Sequence, residues 1–204
     1  MNHHLIIFIK NPLGGKVKTR IAASTGNSAA LEIYKQLLET TRSVTRKQDC
    51  QKHLFYSDFI DNNDLWANEI YNKQLQSGKD LGTRMKNAFN YVFGISAVQN
   101  SKVLIIGSDC PEISSSIIEE AFISLYDHDF VIGPSCDGGY YLLGMSEYYP
   151  AIFDSVIWSS DSVAQTTLDN IMKIGLSYHK LPALNDIDDI HDWQEYLTRR
   201  NRSI

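Results

Sequence analysis

Cysteine is scarce in this chain, and none of it is paired by spacing. The three cysteines, Cys50, Cys110 and Cys136, include no Cys-x-x-Cys, so zinc spacings are absent and a disulfide framework is not expected. A reducing, cytoplasmic setting fits that usage. Cys110 and Cys136 each adjoin an aspartate, yet both read as small hydrophobes rather than reactive thiols. The six histidines show no His-Glu-x-x-His or comparable metal spacing. No run reaches the ~18 apolar residues of a membrane span. Met1–His4 followed by Leu5–Ile9 is too short for a signal peptide and lacks a cleavage site. A basic excess is missing too: 19 Lys and Arg stand against 24 Asp and Glu, a net charge of −5. Nucleic acid and anionic membrane are therefore not the expected partners. Internal repeats, linkers and low-complexity tracts are also absent.

What remains is an ordinary globular composition, and its 204 residues are expected to form one domain spanning 1–204. Strand and helix patterns alternate along it. Strands are expected at Leu5–Lys10, Lys52–Ser57, Tyr71–Gln76, Val103–Gly107, Phe130–Ile132, Tyr140–Gly144 and Leu176–Leu181. Helices are expected at Ser28–Arg46, Leu81–Phe93, Ser115–Tyr126, Ser162–Ile174 and Ile190–Arg200. Asp61–Asn68 reads as a loop or short helix. Interleaving of this kind implies βαβ units and a mostly parallel, helix-covered sheet, with Phe130–Gly144 as a hairpin-like departure.

Four segments carry candidate chemistry. The run Val103-Leu-Ile-Ile-Gly-Ser-Asp-Cys-Pro111 is a buried strand stopped by a glycine, a serine, a carboxylate and a proline. Asp109 therefore stands at the carboxyl end of a central strand, where ligands bind in open α/β sheets. It reads as a metal ligand, a base or a helix cap, although Ser114 and Ser115 lie closer to the next helix for capping. Upstream, Lys10, Lys16, Lys18 and Arg20 bunch in a glycine-bearing loop after the first strand, which points to a small anionic ligand such as a phosphate. Neither a Walker A loop nor Gly-x-Gly-x-x-Gly is met there.

Asp137-Gly138-Gly139 reads either as a hairpin turn or as backbone brought close to a ligand, with Asp137 holding a hydroxyl or a metal-bound water. In Asp186-Ile187-Asp188-Asp189, Asp188 or Asp189 could cap the last helix. Asp188 could equally complete a metal site with Asp109, since hard divalent ions use one or two carboxylates plus phosphate oxygens.

Together these segments resemble a known family. Lys-x-Pro-x-x-Gly-x-Val-Lys-Thr-Arg at Lys10–Arg20, Gly-x-Asp-Leu-Gly-x-Arg-Met at Gly78–Met85 and Gly-Ser-Asp-Cys-Pro at Gly107–Pro111 belong to it. So do Gly-Pro-x-x-Asp-Gly-Gly-Tyr-Tyr-Leu-x-Gly at Gly133–Gly144, Trp158-Ser159 and Asp186-Ile187-Asp188. The set is similar to a bacterial family of uncharacterised GT-A-like transferases associated with radical-SAM and selenium-related domains, in the nucleotide-diphospho-sugar transferase superfamily. The resemblance implies a three-layer α/β/α fold with a mostly parallel, Rossmann-like sheet of the GT-A type.

By position, it implies that the Gly15–Arg20 loop wraps the nucleotide phosphates, with Lys18 and Arg20 as charge partners and Thr19 beside them. Gln76, Gly78, Leu81 and Gly82 would sit near the base and ribose. Asp109 and Asp188 would hold Mg²⁺ or Mn²⁺, with Asp186 able to replace Asp188. Asp137, Gly138, Gly139 and Trp158 would face the acceptor.

Two transferase chemistries fit. The leading expectation is nucleotidyl transfer from an NTP to the phosphate or hydroxyl of a small (phosphorylated) acceptor with release of pyrophosphate, with Lys18, Arg20, Asp109 and Asp137 as the catalytic set. The alternative is glycosyl transfer from an NDP-sugar. That chemistry usually brings an Asp-x-Asp motif, whereas Asp109-Cys110-Pro111 offers one acid and the basic loop suits a triphosphate. From another class, a non-catalytic nucleotide-binding regulatory module is weakened by acids standing at both expected metal positions. A phosphatase of the Asp-x-Asp-x-Thr kind is disfavoured because the first strand ends in Lys10-Asn11-Pro12, without a nucleophile.

Overall fold

The computed structural model describes residues 2–95 and 100–202. The β-branched and aliphatic runs form the strands β1 (His3–Ile9), β2 (Gln51–Tyr56), β3 (Tyr71–Leu75), β4 (Lys102–Ile106), β5 (Phe130–Pro134), β6 (Tyr140–Met145) and β7 (Tyr178–Lys180). Between them lie the helices α1 (Thr19–Thr25), α2 (Asn27–Thr45), α3 (Leu81–Ile95), α4 (Ser115–Ser124), α5 (Val163–Lys173) and α6 (Ile190–Arg202), with a 3-10 turn at Pro150–Phe153. Among the described residues the strands make one seven-stranded sheet in the order β3-β2-β1-β4-β6-β5-β7. The pairs β3–β2, β2–β1, β1–β4 and β5–β7 are parallel. β6 alone runs against its neighbours, β4 and β5. The hairpin-like departure expected at Phe130–Gly144 is this β5–β6 pair, with a register shift at Gly133/Pro134.

Side-chain alternation along the strands builds two cores. Leu5, Ile7, Ile9, Leu54, Leu104 and Ile106 point to one face, where α2 (Leu37), α4 (Ile118) and α6 (Trp193) cover them. Ile6, Phe8, Phe55, Val103 and Ile105 point to the other, against α3 (Phe89) and α5 (Ile171). The result is the expected three-layer α/β/α arrangement around a mostly parallel sheet. Because β1, β2 and β4 run parallel, the segments leaving Ile9, Tyr56 and Ile106 emerge at one edge of the sheet. The β5–β6 turn reaches that same edge, because β6 runs antiparallel to β4. That edge is where the chemistry-bearing segments collect. Among the described residues, no helix is long and apolar enough to cross a membrane.

Candidate active site

The segment leaving β1 is held open from below. Tyr34, on the buried face of α2, accepts the Lys10 N–H at 2.8 Å, and its hydroxyl lies 3.2 Å from that of Ser108. Burial, and then the Asp109 carboxylate, push the Tyr34 phenol well above its usual range, so it stays protonated as a fixed hydrogen-bonding post. Asn11 is buried and fastens the same segment to the chain after β2. Its Oδ1 accepts from Asp58 N at 3.0 Å, and its Nδ2 donates to Phe59 O at 2.9 Å.

Lys18, immediately before α1, takes the left-handed conformation at φ 47° without being a glycine. Such strain persists where surrounding contacts over-determine it. Here its ammonium lies 2.6 Å from Asp109 Oδ1 and donates to the Ile187 carbonyl oxygen at 2.6 Å. Ile187 N–H in turn donates to the Asp109 carbonyl at 2.9 Å, tying the β7–α6 segment to the end of β4. Arg20, in the first turn of α1, pairs with Asp188 at 2.8 Å in an exposed bridge.

The capping alternatives resolve cleanly. Ser114 caps α4, accepting from Ile117 N at 3.3 Å, which leaves Asp109 out of that task. Asp189 caps α6 through His191 N and Asp192 N, while the Asp192 carboxylate accepts the N–H groups of Asp188 and Asp189 at 2.9 Å each. This reciprocal box leaves the carboxylates of Asp186 and Asp188 outside the capping of α6. Asp186 Oδ1 is buried without a hydrogen-bond partner. Burial, then the Asp109 and Asp137 carboxylates, push its carboxyl up to about 7, against the opposing pull of Lys18.

These side chains line a cleft of about 590 Å³. On one wall stand Lys10, Lys16, Lys18, Thr19 and Arg20, with Asp109, Asp186 and Asp188 at its base. On the other stand Asp137, Gly139, Trp158, Ser159, Ser160 and Asp161, with Leu81 also in the lining. Among the described residues no three His, Cys, Asp or Glu side chains form a ready-made metal cluster.

Residues 40–160 match the family model of DUF2064, described as uncharacterized proteins conserved in bacteria. The chain belongs to DUF2064. A solved protein of Desulfovibrio desulfuricans G20, assigned to the nucleotide-diphospho-sugar transferases, shares 30% identity with this DUF2064 chain at a TM-score of 0.87. The match covers 98% of this chain and 87% of that one. The manganese complex of Rv0371C from Mycobacterium tuberculosis H37Rv is similar at 10% identity and TM-score 0.57, covering 97% and 99% of the two chains. The inositol-1-phosphate CTP transferase from T. maritima is similar at 14% identity and TM-score 0.54, covering 94% and 91%. At such identities the last two bear on the fold alone. No protein of curated function matches the sequence.

Other residues singled out in the DUF2064 sequence do not line the cleft. Gln76 Nε2 donates to Ile9 O at 3.1 Å and Phe55 O at 3.0 Å, clasping the ends of β1 and β2. Gly78 passes its carbonyl to Arg84 Nε at 3.1 Å, beneath the start of α3. Gly15 turns against Asn27, at the start of α2. Gly82 and Gly138 sit behind the lining, where each gives room to a neighbour. A Cβ on Gly82 would lie 2.2 Å from the Trp158 ring. A Cβ on Gly138, at φ +91°, would lie 2.0 Å from the Asp161 carbonyl oxygen.

Sequence reasoning did not single out Tyr34, Ser160 or Asp161 for the site, and it marked Ser159 only as part of the Trp158-Ser159 motif, without a role. Tyr34 falls on the apolar stripe of α2 and reads as core. Asp161 stands three residues beyond Trp158, without a pattern of its own.

Proposed function

We propose that this protein is a metal-dependent transferase acting on a nucleotide substrate, and that the reaction is nucleotidyl transfer from an NTP to a small acceptor. The observation that carries this reading is the buried, partnerless Oδ1 of Asp186 beside Asp109, in a cleft whose other boundary is the lysine-bearing loop. A buried carboxylate oxygen with no donor and with carboxylate neighbours fits a cation. Asp109 and Asp186 fit a hard divalent ion completed by phosphate oxygens, with Asp188 adjacent. Bound there, Mg²⁺ or Mn²⁺ would supply neutralisation of phosphate charge.

The chain's own residues account for the rest. The ammonium groups of Lys10 and Lys16 have no ion-pair partner among the described residues, so they are free to take the β- and γ-phosphates. Arg20 joins them on exchanging Asp188 for phosphate. In the transfer, an acceptor oxygen forms a bond to the α-phosphorus while the bridge to the β-phosphate breaks. Pyrophosphate leaves with that electron pair, and we assign the acceptor's proton to the Asp137 carboxylate.

A second reading, glycosyl transfer from an NDP-sugar, is favoured by the assignment of the Desulfovibrio protein at 30% identity. Thermal denaturation with each NTP and with NDP-sugars, with and without Mg²⁺ or Mn²⁺, separates the two. A metal-dependent rise with one NTP, together with acceptor-dependent pyrophosphate release, supports nucleotidyl transfer. A rise confined to NDP-sugars supports the second reading. No metal-dependent rise with any nucleotide overturns both.

A further inference from the structure

The charges of the cleft are segregated. All four cations, Lys10, Lys16, Lys18 and Arg20, come from the stretch that leaves β1 and enters the first turn of α1. The facing wall is built from residues 135–163, and the sequence contains no lysine or arginine between Lys102 and Lys173. That wall presents two carboxylates. Asp137 uses Oδ1 to hold its own turn, accepting from Ser135 Oγ and from Gly139 N. The Asp161 carboxylate has no partner among the described residues and lines the cleft. Contact between Gly138 and the Asp161 backbone brings the two acidic loops against each other.

Between them and α3 stands Trp158, half-buried, its ring seated against Gly82 and 6.4 Å from that of Phe153. Ser159 and Ser160 add hydroxyls beside it. The α5 N-terminus, which would draw an anion, has its Ala164 N–H bonded to the Gly138 carbonyl at 2.9 Å.

We propose that this wall is the acceptor subsite, and that it takes an uncharged, hydroxyl-rich acceptor, a sugar or polyol without a phosphate group. The proposal rests on the nucleotide reading above and replaces the phosphorylated acceptor expected from the sequence. Ionised carboxylates accept hydrogen bonds from O–H groups more strongly than neutral acceptors do. An immobilised indole offers an apolar platform to the C–H face of a ring, and a few convergent polar groups on an apolar wall are the usual make-up of such pockets. A phosphate monoester would carry close to two negative charges against Asp137 and Asp161 with no cation on that wall, and like-charge juxtaposition is strongly disfavoured. In the transfer written above, the nucleophile is then an acceptor hydroxyl.

The test is equilibrium binding of matched pairs to the full chain, glucose against glucose 6-phosphate and ribose against ribose 5-phosphate, read by calorimetry or ligand-observed NMR. It is run with and without Mn²⁺ and the nucleotide found by thermal denaturation. The neutral member of each pair is expected to bind at least ~10-fold more tightly. Asp161→Lys, whose folding is checked by circular dichroism, narrows or inverts that ratio, and Asp161→Asn falls between. Equal or tighter binding of the phosphate esters to the unmodified protein overturns the proposal. So does an unchanged ratio in Asp161→Lys, and so does binding of neither member at millimolar concentration. Nucleotide affinity is measured separately on the same protein. Its absence counts against the nucleotide reading, while the sugar ratio still reads the acceptor wall.

Discussion

The Lys18 ammonium sits 2.6 Å from Asp109 Oδ1 and 2.6 Å from the Ile187 carbonyl oxygen, joining the β1–α1 segment, the end of β4 and the β7–α6 segment at one point. The lysine side chain is 7% exposed and the Asp109 side chain 43% exposed, so solvent screens the carboxylate but not its partner. Lys18→Met leaves Asp109 without its counter-ion and Ile187 O without a donor. The expected loss is about 1–2 kcal/mol of stability in denaturant unfolding, with turnover lost as well. Asp109→Asn keeps the isosteric shape and a neutral acceptor for Lys18. It is expected to retain the fold by circular dichroism while abolishing metal-dependent turnover. Full activity in that variant refutes the assignment of Asp109.

Asp186 is strained electrostatically, and that has a direction in pH. Its folded carboxyl, at about 7, lies above the ordinary value of 3.8, so the folded state binds the proton more tightly than the unfolded chain does. The metal-free protein therefore loses stability from this residue as pH rises from about 4 through 7. Asp186→Asn removes the slope. Its melting temperature at pH 7.5 is expected to exceed that of the unmodified metal-free protein, and its stabilisation by Mn²⁺ to vanish. An unchanged response to Mn²⁺ would sink the role assigned to Asp186.

Which aspartate of the 186–189 segment turns into the cleft was beyond the reach of the sequence, and the reason is local. Spacing puts three carboxylates on one loop. Their fates are set by the capping box of Asp189 and Asp192, by Arg20 reaching Asp188, and by the Ile187–Asp109 backbone bond. All but the box depend on groups more than 70 residues away. Long periodic elements were legible because burial repeats within them. Leu37 and Leu38 on α2, Phe89 and Val92 on α3, and the run Val103–Ile106 all fall on core positions. The short α1 escaped as an element of its own: of its seven residues only Ile21 is buried, too few for a period to show. Gln76 carries a second lesson. Resemblance put it near a base, while its amide nitrogen is engaged by two strand-end carbonyls.

Away from the cleft, His4 and His53 meet on β1 and β2, with His4 Nδ1 3.1 Å from His53 Nε2. Burial, then the neighbouring His4, lower the His53 imidazole to about 4, from an ordinary 6.5. The folded state thus disfavours the proton that the unfolded chain accepts. Stability from this group is present above pH 6.5 and lost as pH falls towards 4, by up to about 3 kcal/mol. Its sign is opposite to that of Asp186, so the two are separated by variants rather than by one profile. Chemical denaturation of His53→Gln at pH 7 and pH 5 should show a smaller acid-induced loss than the parent. An equal loss means that the His pair does not govern the acid response.

Gly82→Ala tests how firmly the Trp158 ring must sit. The added methyl would lie 2.2 Å from ring carbon Cε2 and 2.3 Å from Nε1, closer than any tolerated contact. The backbone on the glycine side belongs to the first turns of α3 and cannot retreat without disturbing Met85 and Phe89 in the core. The ring must therefore swing out from its seat near Phe153, towards the cleft. Overpacking of this kind costs about 1–3 kcal/mol, and here the displacement falls on a wall assigned to the acceptor. The expected result is a modest fall in melting temperature and altered tryptophan emission. The Michaelis constant for the acceptor should rise severalfold, with that for the nucleotide changing little, because Lys10, Lys16 and Arg20 stand on the opposite wall. Equal effects on both constants would place Trp158 against the nucleotide instead.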